Sequence, residues 1–239
     1  MKRHSYRQYV IEFFLVFAAI VLGFFAENLR EYFADQAREK EFVQSLVENL
    51  KADASMYSKR DSAMRERIVW MDTLMSILTG KQENRNAEAY LLGRYATRLI
   101  QTKPGLSTLN FLAKSNDYAS IEDPAVKGKI QHYESDLHWL QEITNVEEQM
   151  AEALWPIIPT LFDTKIFTKM KQVGNQYSRF EMPPGNPPLL TNKPVEINQF
   201  TYHLYLRRSQ FFSEVTNQER MNQERRELID FLNSKYKLI

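Results

Sequence analysis

The chain has 239 residues, with 31 Lys and Arg against 30 Asp and Glu, 44% hydrophobic residues and no cysteine. That balance excludes a global field for nucleic acid, and the missing thiols exclude disulfides, thiolate catalysis and cysteine-ligated zinc. With 15 Phe, 12 Tyr and only seven Gly, the chain suits one mostly helical domain behind an anchor.

Residues 1–8 form a short basic tail carrying Lys2, Arg3 and Arg7. A transmembrane helix is predicted over 9–27, centred on the 17 residues Val10 to Ala26, whose one ionisable group is Glu12. At 1.5 Å per residue those 17 cover about 26 Å, enough for a hydrocarbon core with Tyr9 in the interface. A cleaved signal peptide fits less well, because Phe24 spoils a small-x-small site before Ala26 and helical patterning continues past the span. Basic residues on the two sides tie, Lys2, Arg3 and Arg7 against Arg30, Arg38 and Lys40. Their density favours a cytoplasmic N-terminus, with the helical domain periplasmic in a single-pass protein of a bacterial inner membrane.

Glu12, Val16, Ala19, Gly23 and Ala26 share one face of that helix, at i, i+4, i+7, i+11 and i+14. Ala19 and Gly23 have the small-xxx-small spacing that lets helices approach closely in lipid. The face is therefore a candidate packing surface for a second copy or a partner membrane protein, beside its contact with membrane lipid. The plainer alternative has Glu12 snorkelling to the headgroups and the small residues incidental.

Helical pattern runs on without Pro or Gly to Thr79, where Gly80 marks a C-terminal cap. Apolar residues recur every seven, at Leu29, Val43, Leu50, Tyr57, Met64, Met71 and Leu78, with Gln36 as the exception. Four residues after each come Phe33, Val47, Ala54, Ile68 and Met75, with Lys40 and Asp61 as exceptions. Such a seam suits a coiled coil between chains or a bundle within one, and later helices favour the bundle. The phase of Glu12, Ala19 and Ala26 is that of Phe33 and Val47. A supercoiled helix would therefore carry membrane contacts and domain packing on one face.

Downstream, helices are predicted over 86–101 and from Ser107 or Thr108 as cap through Leu112, with Asn116 a plausible left-handed position. Asp123-Pro124 starts a longer helix with Val126, Ile130, Tyr133, Leu137, Leu140, Met150 and Leu154 on one stripe. Pro156 and Pro159 end it, and a short helix follows within 160–171. Residues 174–194 hold five of the nine prolines and read as a surface loop. The last helix, Glu196 to Tyr236, turns Phe200, Leu204, Phe211, Val215, Ile229 and Leu232 inward. The echoes Asn217 to Arg220 and Asn222 to Arg225 read as its solvated face.

From Phe42 onward, two blocks resemble an uncharacterised bacterial family of N-terminally membrane-anchored helical proteins, a domain of unknown function. The first is Phe42, Leu46, Asn49, Leu50 and Asp53, preceded by Glu12 and Asn28. The second is Thr108 to Leu112 through Ser115, Asn116 and Asp117, then Ile121, Val126, Ile130 and Tyr133. Asn116 stands where that family usually has Gly, and its Trp just after the span is missing near Leu29. The resemblance implies an anchored helical domain facing the periplasm and implies no activity.

Chemical signatures are sparse. Glu134, His138 and Glu142 share a helix face at fours, whereas di-iron bundles use Glu-x-x-His at three, so no metal is expected there. Tyr202, Tyr205, Arg207, Arg208 and Phe211 read as core with a solvated rim, not as a nucleic-acid site. The expected fold class is all-α: one transmembrane helix continuous with a long helix of an elongated antiparallel bundle over 28–239. The expected function is non-enzymatic, with no cofactor and no nucleic acid: a scaffold or accessory subunit of a cell-envelope complex. The competing expectation is a sensory or ligand-binding bundle that signals through helix packing.

Overall fold

A computed structural model describes residues 6–80, 83–115, 118, 121–174 and 179–238. Among these the chain is all-helical, its only extended pairing being an isolated bridge between Gln172 and Phe180. The first helix, α1 (Tyr6–Thr79), runs 74 residues without interruption, as expected from a stretch lacking Pro and carrying Gly only at Gly23. At 1.5 Å per residue it is about 110 Å long. Its last turn closes when the Gly80 N–H donates to Ser76 O at 3.0 Å.

After a 3₁₀ turn (Glu83–Arg85) come α2 (Asn86–Tyr95), α3 (Leu106–Lys114), α4 (Pro124–Glu152), α5 (Ile158–Leu161), α6 (Thr164–Lys169) and α7 (Pro194–Tyr236). Asp123 caps α4 as its sequence promised, accepting from Ala125 N at 2.8 Å and Val126 N at 3.3 Å. Ser107 and Thr108 do not cap α3. They lie inside it, and Gly105 holds the N-cap position with φ 79°. Asn116 falls outside the described residues. The prolyl segment is tied down, because Tyr90 Oη donates to Pro188 O at 2.9 Å and Leu190 N to Leu161 O at 2.9 Å. Pro194 itself opens α7.

Up to Ala34 every α1 residue whose side chain is described is exposed, and the first buried one is Glu39. Beyond it, the core partners on α7 fall in number as α1 rises: Glu39 with Tyr236, Leu50 with Arg225, Arg60 with Glu214 and Asp72 with Arg208, while the exposed pair Arg65 with Glu219 steps back by five residues. The core has two apolar clusters. One joins α1 residues 42–57 to α3, the first half of α4 and the end of α7. The other joins α1 residues 64–78 to α2, Leu154 to Phe162 and the start of α7.

The first predicted row of the seam is buried from Val43 to Leu78. The second lies elsewhere than expected. Ala54, Ile68 and Met75, four residues on, are only half-buried. The deeper row is three residues on: Glu39, Leu46, Asp53, Arg60 and Leu74, with Arg67 partly buried among them. Four charged residues in that row, Glu39, Asp53, Arg60 and Arg67, hid it from an apolar count. Carried back by sevens, the two buried rows reach Leu15, Leu22 and Leu29, and Ala18, Phe25 and Tyr32. The face of Glu12, Ala19 and Ala26 instead continues the half-buried flank, beside the main seam and not on it.

Candidate functional site

Two features stand apart from ordinary helix packing: the bare N-terminal third of α1 and a charged layer between the two apolar clusters. On the first, the apolar segment is exposed throughout, with Phe24 70% and Phe13 65% accessible. Among the described residues α1 is the one helix long and apolar enough to cross a membrane. Glu12, Val16, Ala19, Gly23 and Ala26 are all exposed on it, and a Cβ added at Gly23 would meet nothing within 4 Å. Between this segment and the core lies a stalk, residues 27–38, braced by ion pairs of Arg30 with Glu27 and Arg38 with Asp35. It carries the exposed side chains Leu29, Tyr32 and Phe33.

The charged layer is built from one heptad row on each of three helices. Arg60 comes from α1, Glu147 from α4, and Arg207 and Glu214 from α7; all four are at most 1% exposed. Arg60 Nε donates to Glu214 Oε1 at 2.6 Å and its Nη2 to Glu147 Oε2 at 2.9 Å. Arg207 Nη2 donates to the other oxygen of Glu147 at 3.2 Å, and Gln218 Nε2 donates to Glu214 Oε1 at 3.0 Å. Glu147 thus bridges two guanidiniums, and Arg60 bridges two carboxylates.

Other guanidinium N–H groups have a common target, the chain leaving α2, while Arg207 Nε is buried without a partner. Arg207 donates to Ala96 O and, at 2.7 Å, to Arg98 O; Arg60 donates to Thr102 O at 2.9 Å and Ile100 O at 3.3 Å. Arg67, seven residues after Arg60, donates to Tyr95 O at 2.9 Å and lies over Trp70, which stacks on Tyr95 at 4.7 Å. A helix C-terminus exposes unpaired carbonyls with negative partial charge, so three arginines converge on a non-helical segment that would otherwise bury them unsatisfied. This accounts for more guanidiniums than carboxylates in the layer.

The electrostatics follow the partners. Burial pulls the Arg60 pKa down, but its hydrogen bonds and charge contacts with Glu214 and Glu147 prevail and hold it above the ordinary arginine value. Arg207 is lowered by burial, which Glu147 only partly offsets. Arg67 has no carboxylate bonded to it; burial first, then repulsion from Arg207 and Arg98, bring it down to about 10. Arg60, Glu147, Arg207 and Glu214 thus form one set of interlocked ion pairs.

A second polar junction lies toward the stalk. Asp53 accepts from Ser107 Oγ at 2.7 Å and Thr108 Oγ1 at 2.6 Å, and Phe42 stacks on Phe111 at 5.2 Å. The two blocks that carry the family resemblance therefore meet in space. Beside them the Tyr57 and Tyr133 hydroxyls lie 3.2 Å apart. Burial raises both phenols, Tyr57 to about 12, with Tyr133 pushed up further by its charge contact and hydrogen bond with Tyr57. A raised folded-state pKa means full stability below the unfolded phenol value near 10 and loss as pH climbs through the folded value. Urea unfolding midpoints should thus fall from pH 10 upward, at about 1.4 kcal/mol per pH unit per phenol. Tyr133→Phe should lessen that slope, and an unchanged slope would refute the linkage.

Sequence reasoning missed this layer. Arg207 was expected on a solvated rim with the aromatics inward, yet Arg207 is buried while Tyr202 and Tyr205 are 56% and 54% exposed. Gln218 and Arg225, read as solvated, are also buried, and Arg225 donates to Leu50 O at 2.8 Å. Heptad spacing was the available signal: 200, 204, 207, 211, 214, 218, 221, 225, 228 and 232 on α7 alternate by four and three. Of the expected α4 stripe, Met150 is only half-buried, and the inward row runs through Thr144, Glu147 and Ala151 instead. His138 and Glu142 are exposed and Glu134 is half-buried, and His4 lies outside the described residues. No family, curated protein or solved structure shows significant similarity to the chain.

Proposed function

We propose that the chain is a non-enzymatic, single-pass membrane protein whose helical domain is a scaffold or accessory subunit of a cell-envelope complex. The observation that carries this is the continuity of α1: one helix joins a fully exposed apolar segment to a core that begins at Phe42. In this reading α1, α4 and α7 form an elongated antiparallel bundle, supported by the falling order of α7 partners along α1. The N-terminus is cytoplasmic and the bundle periplasmic at a bacterial inner membrane, as basic-residue density suggests. Kinship with the anchored bacterial family belongs to the same proposal and rests on the residues of the two motif blocks.

The membrane face Glu12, Val16, Ala19, Gly23 and Ala26 takes a second copy or a partner membrane protein. Gly23→Leu is the direct test, since nothing inside the chain touches that position. The expected result is loss of cross-linked or co-purifying species from membranes, with the urea midpoint of the bundle unchanged. Recovery of the same species at wild-type yield would sink the packing face, and finding the protein always alone would sink the scaffold reading.

The sensory alternative has one observation in its favour, the break in the apolar core at Arg60, Glu147, Arg207 and Glu214. A layer of ions allows discrete pairings, which a two-state packing change requires. Its four charged side chains are joined by mutual ion pairs, which favours the scaffold reading, although Arg207 Nε, Glu214 Oε2 and Gln218 Oε1 are buried without a partner.

A further inference from the structure

We propose that His132, Asp136 and Glu224 form a binding site for one divalent first-row transition-metal ion between α4 and α7. His132 and Asp136 stand one turn apart on α4, and Glu224 reaches across from α7. One ligand atom from each lies within 4.8 Å of the others. His132 Nε2 is 3.9 Å from Asp136 Oδ2. That is the spacing of atoms on one coordination sphere, since ligands 2.0–2.2 Å from an ion are separated by roughly 3–4 Å.

Two independent features support a cation here. Two of the three, His132 and Glu224, line a groove of about 360 Å³ together with Gly128, Lys129, Tyr133 and Glu227, among others, and Asp136 lies behind them. An ion held by three side chains would keep open positions toward that groove, the hallmark of a site that takes water or an exogenous ligand. Glu224 Oε2, in addition, is shut off from solvent and has no hydrogen-bond partner. A buried carboxylate oxygen without a partner is costly, and coordination would satisfy it.

Arg220 holds the site in its present form. Its Nη1 donates to Glu224 Oε1 at 2.6 Å and contacts Asp136 Oδ2 at 3.4 Å. That is one positive charge against two carboxylates, with His132 outside the pairing. A divalent ion supplies two charges and recruits the imidazole. The guanidinium, on a side chain already 46% exposed, is released to solvent. One nitrogen and two carboxylate ligands suit Zn²⁺, Mn²⁺ or Fe²⁺ better than a thiol-seeking ion. Glu134, His138 and Glu142, on the same helix, make no such grouping among the described residues.

The test is calorimetric titration of Zn²⁺ into the full chain in detergent, stripped of metal beforehand. The expected result is saturable binding at one site. His132→Ala and Glu224→Gln should each raise Kd at least tenfold, and His138→Ala should leave it unchanged. Arg220→Ala should lower Kd, because no guanidinium must be displaced. Absence of saturable binding in the wild type at millimolar Zn²⁺ would overturn the proposal. So would binding that survives His132→Ala, or binding that is lost only in His138→Ala. Thermal denaturation of each variant without metal separates a lost ligand from a lost fold.

Discussion

Arg60→Ala is expected to lower the stability of the bundle by about 3–5 kcal/mol, the usual loss when one partner of a buried ion network is removed. Glu147 would keep Arg207, but Glu214 would retain only the Gln218 amide, and the Ile100 and Thr102 carbonyls would lose a donor. Against a typical total of 5–15 kcal/mol the variant stands near the edge of folding. A paired replacement separates charge from volume. Arg60→Met with Glu214→Leu removes the orphaned carboxylate and keeps the Arg207–Glu147 pair but leaves the Ile100 and Thr102 carbonyls and the Gln218 amide unpaired, so it should recover part of the loss. Urea midpoints of the full chain in detergent, with limited proteolysis as a second readout, decide it. A single variant as stable as wild type would mean that the layer contributes nothing; a double variant no better than the single would place the loss elsewhere.

Gly105→Ala should be nearly as damaging, at roughly 2–4 kcal/mol from a left-handed backbone and overpacking together. Gly105 sits at φ 79°, and a Cβ there would lie 2.2 Å from Leu137 Cδ2, within the apolar cluster nearer the stalk. Leu137 cannot yield freely, being 1% exposed. Gly128 is the internal control, since a Cβ there meets nothing within 4 Å and the residue lies in the interior of α4. Gly128→Ala should raise stability by about 0.5–1 kcal/mol through helix propensity and a less disordered unfolded chain. Equal urea midpoints for the two variants would show that conformation and contact at Gly105 do not matter.

Helix existence was legible from composition and spacing, because Pro and Gly are rare and each long apolar stripe has a seven-residue period. Val43, Leu50, Tyr57, Met64 and Met71 could be placed inside from pattern alone, and so they are. The charged layer was not legible by the same logic. Arg60, Glu147, Arg207 and Glu214 occupy core positions of their own helices, and each looks like a solvated residue until its partners are known. Their pairings span 60 to 154 positions of chain, and no local rule reports a partner that far off. Asp53 was singled out by resemblance, but its physical role, gathering the Ser107 and Thr108 hydroxyls, needed the fold. The membrane face could be named residue by residue, while its occupant depends on a molecule outside the chain.

The wide separation of α1 from α7 also governs how the chain must be made. Arg60 meets Glu214 only after 154 further residues have been synthesised. At 5–20 residues per second that is a delay of roughly 8–30 s, far longer than helix formation takes. Throughout that interval the rows of α1 from Val43 to Leu78 stand without their cover from α7, although the helix itself can already have formed. The newborn chain is thus most exposed to aggregation in the interval before α7 is made, and whatever shields an amphipathic helix of that length must act before α7 appears.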